Sequence, residues 1–449
     1  MLNPDLLSHD QQLLIDRLFE HDTTLAIAEM GFGKSVCALS AAAELLNAKH
    51  LHKVLIVAPL KPCRSVWAHE HEKWTHLSGL RVNVALGSES KRVAAIEGDC
   101  DICVINFDNL VWFLSKYKDK HGYDGLIIDE LTKLKANSSK SVKKLRYRTN
   151  DFKWRVGMSA TPVAENLDGL FSQVLCLDGG ERFGRSKERF LQSYFYPTDY
   201  NQYKWAIRIG GDTELLRRIE DIVYNAALYS MDLPELVEKE YRFNMPSDML
   251  DKYNLLKRDS VYTVYDGTDI IADNAAVLSS KLEQFASGFL YGAGDPSDRK
   301  VYHLHNYRTF ALEEYLALRE NQDENILIFY KFIAERDTLI KLLGDDAVLL
   351  EEEGAEAQWN AGNIKYLLCH PKSASHGLNL AEGGARVLYY SPVWSNDDFT
   401  QANARLHRRG QLYKVIVTSL VCVDTVNELT VARIEDKREA EALFKQHLS

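Results

Sequence analysis

No apolar run in this 449-residue chain approaches the roughly 20 residues that a membrane-spanning helix needs, which excludes a helical membrane protein. The opening residues, MLNPDLLSHDQQ, carry no basic segment followed by an apolar one, so no secretory signal is expected. Cysteine is sparse and odd in number, with seven scattered residues, which argues against a disulfide framework and for a reducing cytoplasm. Cys100 and Cys103 form a C-x-x-C, but no second Cys or His pair stands at zinc spacing, and Cys103 falls inside the apolar run ICVI. An excess of positive charge is also lacking. The net charge of −10 disfavours non-specific coating of nucleic acid, so any such contact must use local basic patches. The densest patch is Lys133 to Arg148, KLKANSSKSVKKLRYR, which reads equally well as a solvated helix face. No low-complexity tail and no appended recognition module is visible.

What is present is a globular chain, 46% hydrophobic and 26% charged, long for one domain and comfortable for two. Short apolar runs without polar alternation recur in two groups. The first comprises VLIVAP (from Val54), ICVINF (from Ile102), GLIIDE (from Gly125) and WRVGMSAT (from Trp154). The second comprises ILIFYKF (from Ile326), AVLL (from Ala347), IKYLLCHP (from Ile364), RVLYYSP (from Arg386) and KVIVTSLV (from Lys414). Runs of this kind suit strands buried on both faces, hence parallel sheets covered by helices. The expected architecture is α/β, two doubly wound parallel-sheet lobes with helical insertions between and on them. Lobe 1 is expected over residues 1–231, with helical elaboration at about 179–231. Pro234 and clustered acids mark a linker at 232–240, and lobe 2 follows over 241–449, with elaboration at about 247–310.

The segment AEMGFGKS, Ala28 to Ser35, lies between the apolar TLAIA and the helical VCALSAAAELL. Strand, Gly-rich turn and Lys-Ser opening a helix form the setting of a phosphate loop. Gly31 and Gly33 let the backbone approach phosphates, the helix N-terminus adds positive potential, Lys34 reaches the β- and γ-phosphates, and Ser35 can ligate Mg²⁺. Met30 completes the set of loop candidates. Ala28 stands where the first Gly of the strict motif is expected. The run LIIDE ends with Asp129 and Glu130 at the carboxyl end of an expected parallel strand, the position at which such sheets bind ligands. Asp129 is the candidate Mg²⁺ carboxylate, and Glu130 the candidate base for the attacking water.

The order of segments resembles the helicase motifs of Swi/Snf-type ATPases of superfamily two, over nearly the whole chain. The segments are AEMGFGKS, VLIVAPLKPCRSVW, INFDNL, LIIDELTKLK, MSATP, ILIFYKF, SASHGLNL and QANARLHRRGQ. The most specific is Gln401 to Gln411, similar to the Q-x-x-x-R-x-x-R-x-G-Q motif of that branch. KLEQFASGFLY and LHRRGQ suggest the short stand-alone members of phages and bacteria. The resemblance implies RecA-like lobes, ATP and Mg²⁺ as substrate and cofactor, and the cytoplasm (the host's, if a phage encodes the chain) as location. It implies that Gln11 or Gln12 reads adenine, that Ser159 to Thr161 couple hydrolysis to lobe movement, and that Gly377 and Asn379 lie near the nucleotide. Gln401, Arg405 and Arg408 belong to the catalytic set, the two arginines as fingers that stabilise the γ-phosphoryl charge, a role worth about 10³–10⁵ in rate. Thr132 stands at the family's histidine position, and SATP replaces the branch's Gly-Thr-Pro.

The resemblance also implies a nucleic-acid track. Its candidates are Lys61, Arg64, Asn106, Asp108, Lys133 and Lys135 in lobe 1, and Lys331, Lys372, Ser373 and Trp394 in lobe 2. The contacts are expected on phosphates, hence salt-sensitive and indifferent to sequence. The implied activity is a DNA-dependent ATPase and helicase or translocase, acting as a monomer on duplex or branched DNA with replication or recombination proteins as further partners. A translocase that displaces proteins without separating strands, an RNA helicase and a non-hydrolysing scaffold remain alternatives.

Overall fold

The computed structural model describes residues 1–118, 121–160, 167–226, 233–294, 299–374, 378–408 and 410–435. The chain forms two compact units that divide between residues 231 and 232.

Unit 1 contains β1 (Thr23–Ile27), β2 (Val54–Ala58), β3 (Val82–Val84), β4 (Ile102–Asn106), β5 (Gly125–Asp129), β6 (Trp154–Ser159), β7 (Phe195–Pro197), β8 (Trp205–Ile207) and β9 (Val223–Asn225). Seven of these make one sheet in the order β3-β4-β2-β5-β6-β1-β9, every pairing parallel. The expected apolar runs are these strands, because each buries both faces. Leu25, Ile27, Leu55 and Val57 pack into one core, while Ala26, Val54, Ile56 and Ala58 pack into the other. Each large aliphatic side chain so buried contributes about 1.5–3 kcal/mol, and the two-sided demand is what requires helices on both faces. Helix α1 (His9–Glu20) opens with a capping box: Ser8 Oγ accepts from Gln11 N at 3.3 Å, and Gln11 Oε1 accepts from Ser8 N at 2.8 Å.

Unit 2 contains β10 (Leu236–Phe243), β11 (Val261–Thr263), β12 (Asp269–Ile271), β13 (Phe289–Tyr291), β14 (Val301–His303), β15 (Ile326–Phe329), β16 (Ala347–Leu349), β17 (Tyr366–Cys369), β18 (Arg386–Tyr389) and β19 (Val415–Cys422). A six-stranded parallel sheet runs β10-β19-β18-β15-β17-β16. Here too alternate residues of one strand serve opposite cores: Ile326 and Ile328 one, Leu327 and Phe329 the other. Both units are therefore doubly wound α/β layers, as the apolar runs imply.

Two expectations change. The segment 232–240 is not simply a linker, because from Leu236 it is strand β10, paired over eight residues with β19. Its charges, VEKEYR, masked it; an edge strand keeps a solvated face and tolerates them. The elaborations at 179–231 and 247–310 are not purely helical. They hold helices such as Lys187–Tyr194, Ser247–Asp259 and Ala275–Ala286, but also the antiparallel hairpins β7–β8, β11–β12 and β13–β14. KLEQFASGFLY shows why. The helix ends at Ala286, and Gly288, with φ +94°, lies so close to His305 that an added Cβ would fall 2.2 Å from its carbonyl oxygen. Only glycine fits there, and the chain turns into β13.

Candidate active site

The lobe 1 candidates sit where the parallel sheet delivers them, at the carboxyl ends of β1, β2, β4, β5 and β6. The loop after β1 runs into α2 (Lys34–Asn47), with Gly33 as its left-handed N-cap residue at φ +94°. A Cβ on Gly33 would lie 2.3 Å from Gln11 Nε2. Gln11 is buried and donates from that nitrogen to Phe32 O at 2.6 Å. The ambiguity between the glutamines thus resolves in position: Gln11 braces the loop, whereas Gln12 faces outward and donates to Asp16 Oδ1 at 2.9 Å. Met30 and Ser35 are half-buried, and Ser35 stands in the first turn of α2.

Lys34 Nζ donates to Ala28 O at 2.6 Å and Glu29 O at 3.0 Å. Burial pushes this ammonium below its ordinary range, while Glu130, Asp129 and Glu29 pull it back up. The two carboxylates stand at the end of β5, with β6 between that strand and β1. Asp129 Oδ2 accepts from Trp67 Nε1 at 2.8 Å, and Glu130 Oε1 accepts from Thr132 Oγ1 at 2.8 Å. Burial raises the pKa of Asp129, and burial together with the neighbouring Asp129 raises that of Glu130. Glu130 is also held at φ +65°, a left-handed conformation that costs a non-glycine residue about 1–3 kcal/mol and often accompanies function. Ser159 closes β6 between loop and carboxylates, its carbonyl accepting from Ala28 N at 3.1 Å; Thr161 lies outside the described residues.

Two adjacent half-buried carboxylates, when ionised, outnumber the one ammonium that interacts with them, which suits a divalent cation. Among the described residues no cluster of three or more His, Cys, Asp or Glu could hold a metal. An ion at this place would take few protein oxygens, the habit of Mg²⁺ bound to phosphates.

Unit 2 assembles its own cluster. Arg405 Nη1 and Arg408 Nη1 both donate to Leu378 O, at 3.3 and 3.0 Å. The adjoining Asn379 donates its N–H to Glu356 Oε1 at 2.8 Å and accepts from Asn360 Nδ2 at 2.7 Å. Burial lowers the Arg408 guanidinium and Glu356 raises it. Gln401 is half-buried on the helix Asn396–Asn403 just before the arginines; Gly377 lies outside the described residues. Gln411 Nε2 ties the motif's end to Ala381 O and Gly384 O at 2.9 and 3.0 Å.

The track candidates divide. Lys61, Arg64, Lys133 and Lys372 are exposed, Lys135 and Ser373 are half-buried. Three have partners within their own unit. Asn106 is only 6% exposed, bonded to Asp108 Oδ2 at 3.1 Å and accepting from Asn109 Nδ2 at 2.5 Å, so it organises its own turn. Lys331 Nζ pairs with Glu283 Oε1 at 2.7 Å, and Trp394 Nε1 donates to the same oxygen. A buried carboxylate such as Glu283 requires partners of this kind. Sequence reasoning missed Trp67, Glu283 and Glu356. Trp67 and Glu283 lie inside the quoted segments VLIVAPLKPCRSVW and KLEQFASGFLY, but which residues they meet is set by tertiary packing, as it is for Glu356.

The SNF2-related domain model matches residues 14–285. "Putative protein p41" of Acyrthosiphon pisum secondary endosymbiont phage 1 is 26% identical, covering 97% of this chain and 96% of that protein. The human SWI/SNF-related matrix-associated actin-dependent regulator of chromatin subfamily A member 1 is 23% identical over 96% of this chain, which spans 42% of that protein's length. Among solved structures, the Sulfolobus solfataricus SWI2/SNF2 ATPase core in complex with dsDNA aligns with 97% of this chain and 90% of its own at 20% identity, with a TM-score of 0.44.

Proposed function

The chain belongs to the SNF2-related family, and from that premise we propose that it is a DNA-dependent ATPase that moves along duplex or branched DNA. The observation that carries this reading is the half-buried triad of Lys34, Asp129 and Glu130, gathered at the carboxyl edge of one parallel sheet. Lys34 leaves its two loop carbonyls to meet the β- and γ-phosphates of ATP, with Gly31 and Gly33 allowing the backbone N–H groups to point at them. Gln11, which donates to Phe32 O in the loop, is our candidate to read adenine. Ser35 and Asp129 would hold Mg²⁺, which when bound would neutralise charge on the phosphoryl oxygens. Trp67 fixes the orientation of Asp129, and Thr132 that of Glu130. Glu130 takes the proton of the attacking water. Arg405 and Arg408 remain the candidate arginine fingers, and within unit 2 both donate to Leu378 O, next to Asn379, whose N–H is accepted by Glu356.

Motion follows if the nucleotide-bound and nucleotide-free forms differ in DNA affinity. Remodelling, unwinding or branch migration in replication, recombination or repair is the use to which such a motor is suited. The test is hydrolysis by the purified chain with closed duplex, forked DNA, single strands and RNA as stimulants. DNA-stimulated turnover is expected, lost in Glu130→Gln with DNA binding near normal. Stimulation by RNA alone, or normal turnover in Glu130→Gln, would overturn the reading.

A further inference from the structure

The segment 195–210, FYPTDYNQYKWAIRIG, takes no part in the site above. It folds as the β7–β8 hairpin, in which Phe195 pairs with Ile207, Tyr196 with Ala206 and Pro197 with Trp205. One face is anchored: Phe195 is buried against Phe190, and Trp205 and Ile207 pack on the same core. The rest is presented to solvent. Tyr196 is 49% exposed, Tyr203 85% and Tyr200 entirely.

The tip is nonetheless ordered by its own hydrogen bonds. Thr198 N donates to Lys204 O at 2.9 Å, Gln202 N to Asp199 O at 3.1 Å, and Trp205 Nε1 to Gln202 O at 2.8 Å. The segment's one carboxylate, Asp199, accepts the backbone N–H of Lys204 at 2.7 Å. Lys204 and Arg208 are exposed; Arg208 Nε donates to Phe195 O at 2.9 Å, and neither residue forms an ion pair among the described residues. Large aromatic rings kept in water on a braced support, beside unpaired cations, call for a ligand with flat faces and negative charge.

We propose that Tyr196, Tyr200 and Tyr203, with Lys204 and Arg208, form a stacking platform for unpaired DNA bases, at a fork, a duplex end or a single strand. The proposal rests on the DNA-motor reading and deepens it by naming the element that meets strands once they part. Stacking accepts any base, since every base has a π-face, and the two cations serve the phosphates between. A protein partner is the competing occupant, since Ile209 is also fully exposed on this segment, but the polar Thr198, Asn201, Gln202 and two cations among the rings favour a ligand that offers both flat faces and phosphates.

The test compares the unaltered chain with the double variants Tyr200→Ala/Tyr203→Ala and Tyr200→Phe/Tyr203→Phe. Affinity is read on forked DNA carrying 2-aminopurine and on covalently closed duplex, and ATPase on the closed duplex. The alanine pair should lose about tenfold or more on the fork, keep closed-duplex affinity and closed-duplex ATPase, and show markedly reduced 2-aminopurine quenching, with Tyr196 alone left to stack. The phenylalanine pair should behave as the unaltered chain. Equal fork affinity in the alanine pair, equal losses on fork and closed duplex, or failure of the phenylalanine pair would each overturn the platform. Absence of DNA-stimulated hydrolysis in the unaltered chain would sink the motor reading instead, and the fork comparison would still decide the platform.

Discussion

Trp67 is fully buried and its indole N–H meets Asp129 Oδ2 at 2.8 Å. A hydrogen bond to a charged group contributes about 1.5–3 kcal/mol, and this one also sets which oxygen of Asp129 is left for a cation. Trp67→Phe keeps an aromatic ring and removes the donor. It should raise the Mg²⁺ concentration needed for half-maximal ATPase by about tenfold, with a smaller change in the plateau, as a Mg²⁺ titration would read. An unchanged Mg²⁺ requirement would leave Trp67 a packing residue only. Gly33 gives a second case. With φ +94° and Gln11 Nε2 in the space of any Cβ, Gly33→Ala must both strain the loop and displace the glutamine. ATP binding, measured by calorimetry, should weaken more than tenfold while the melting temperature of the chain moves little.

Hairpins carry much of what is particular to this chain. His305 follows β14 and stacks near Tyr307 and Phe285, with ring centroids 5.0 and 5.9 Å away. Burial pushes its imidazole down to about 4. In the unfolded chain the ring titrates near the ordinary 6.5, so below that pH the unfolded state takes a proton that the folded state refuses. The stabilisation is complete above about pH 6.5 and is lost as pH falls toward 4, up to about 3 kcal/mol. Denaturant melts from pH 7.5 to 4.5 should show this decline, and His305→Phe should flatten it; an identical slope in the variant would refute the assignment. The same region shows where sequence reading stops. Runs such as VLIVA and ILIF announce themselves because both faces are buried. β3 and β9 are three residues long, β10 is an edge strand full of charge, and the aromatics of FYPTDYNQYKWAI mimic a helical spacing while forming a hairpin. In the site, Lys34, Asp129 and Glu130 were legible because a phosphate loop and a strand-end carboxylate are local patterns. Glu283 and Glu356 were not, since each finds its partners through tertiary packing.

At the scale of the whole molecule, a chain of net charge −10 that binds DNA must do so against its own field. Under the proposed reading, attraction rests on exposed cations such as Lys61, Arg64, Lys133 and Lys372. Affinity for duplex should fall steeply with salt, and Lys61→Ala or Lys133→Ala should each flatten a plot of log affinity against log salt by about one unit. A slope untouched by both would move the track elsewhere. The pairing of β10 with β19 has a temporal consequence. Among the described residues, the strand that opens the second sheet pairs with the strand that closes it in sequence, eight residues matched across a long intervening stretch of chain. During synthesis, Leu236 to Phe243 must wait for Val415 to Cys422 to leave the ribosome. Nascent chains halted in between expose a bare edge to chaperones or to one another.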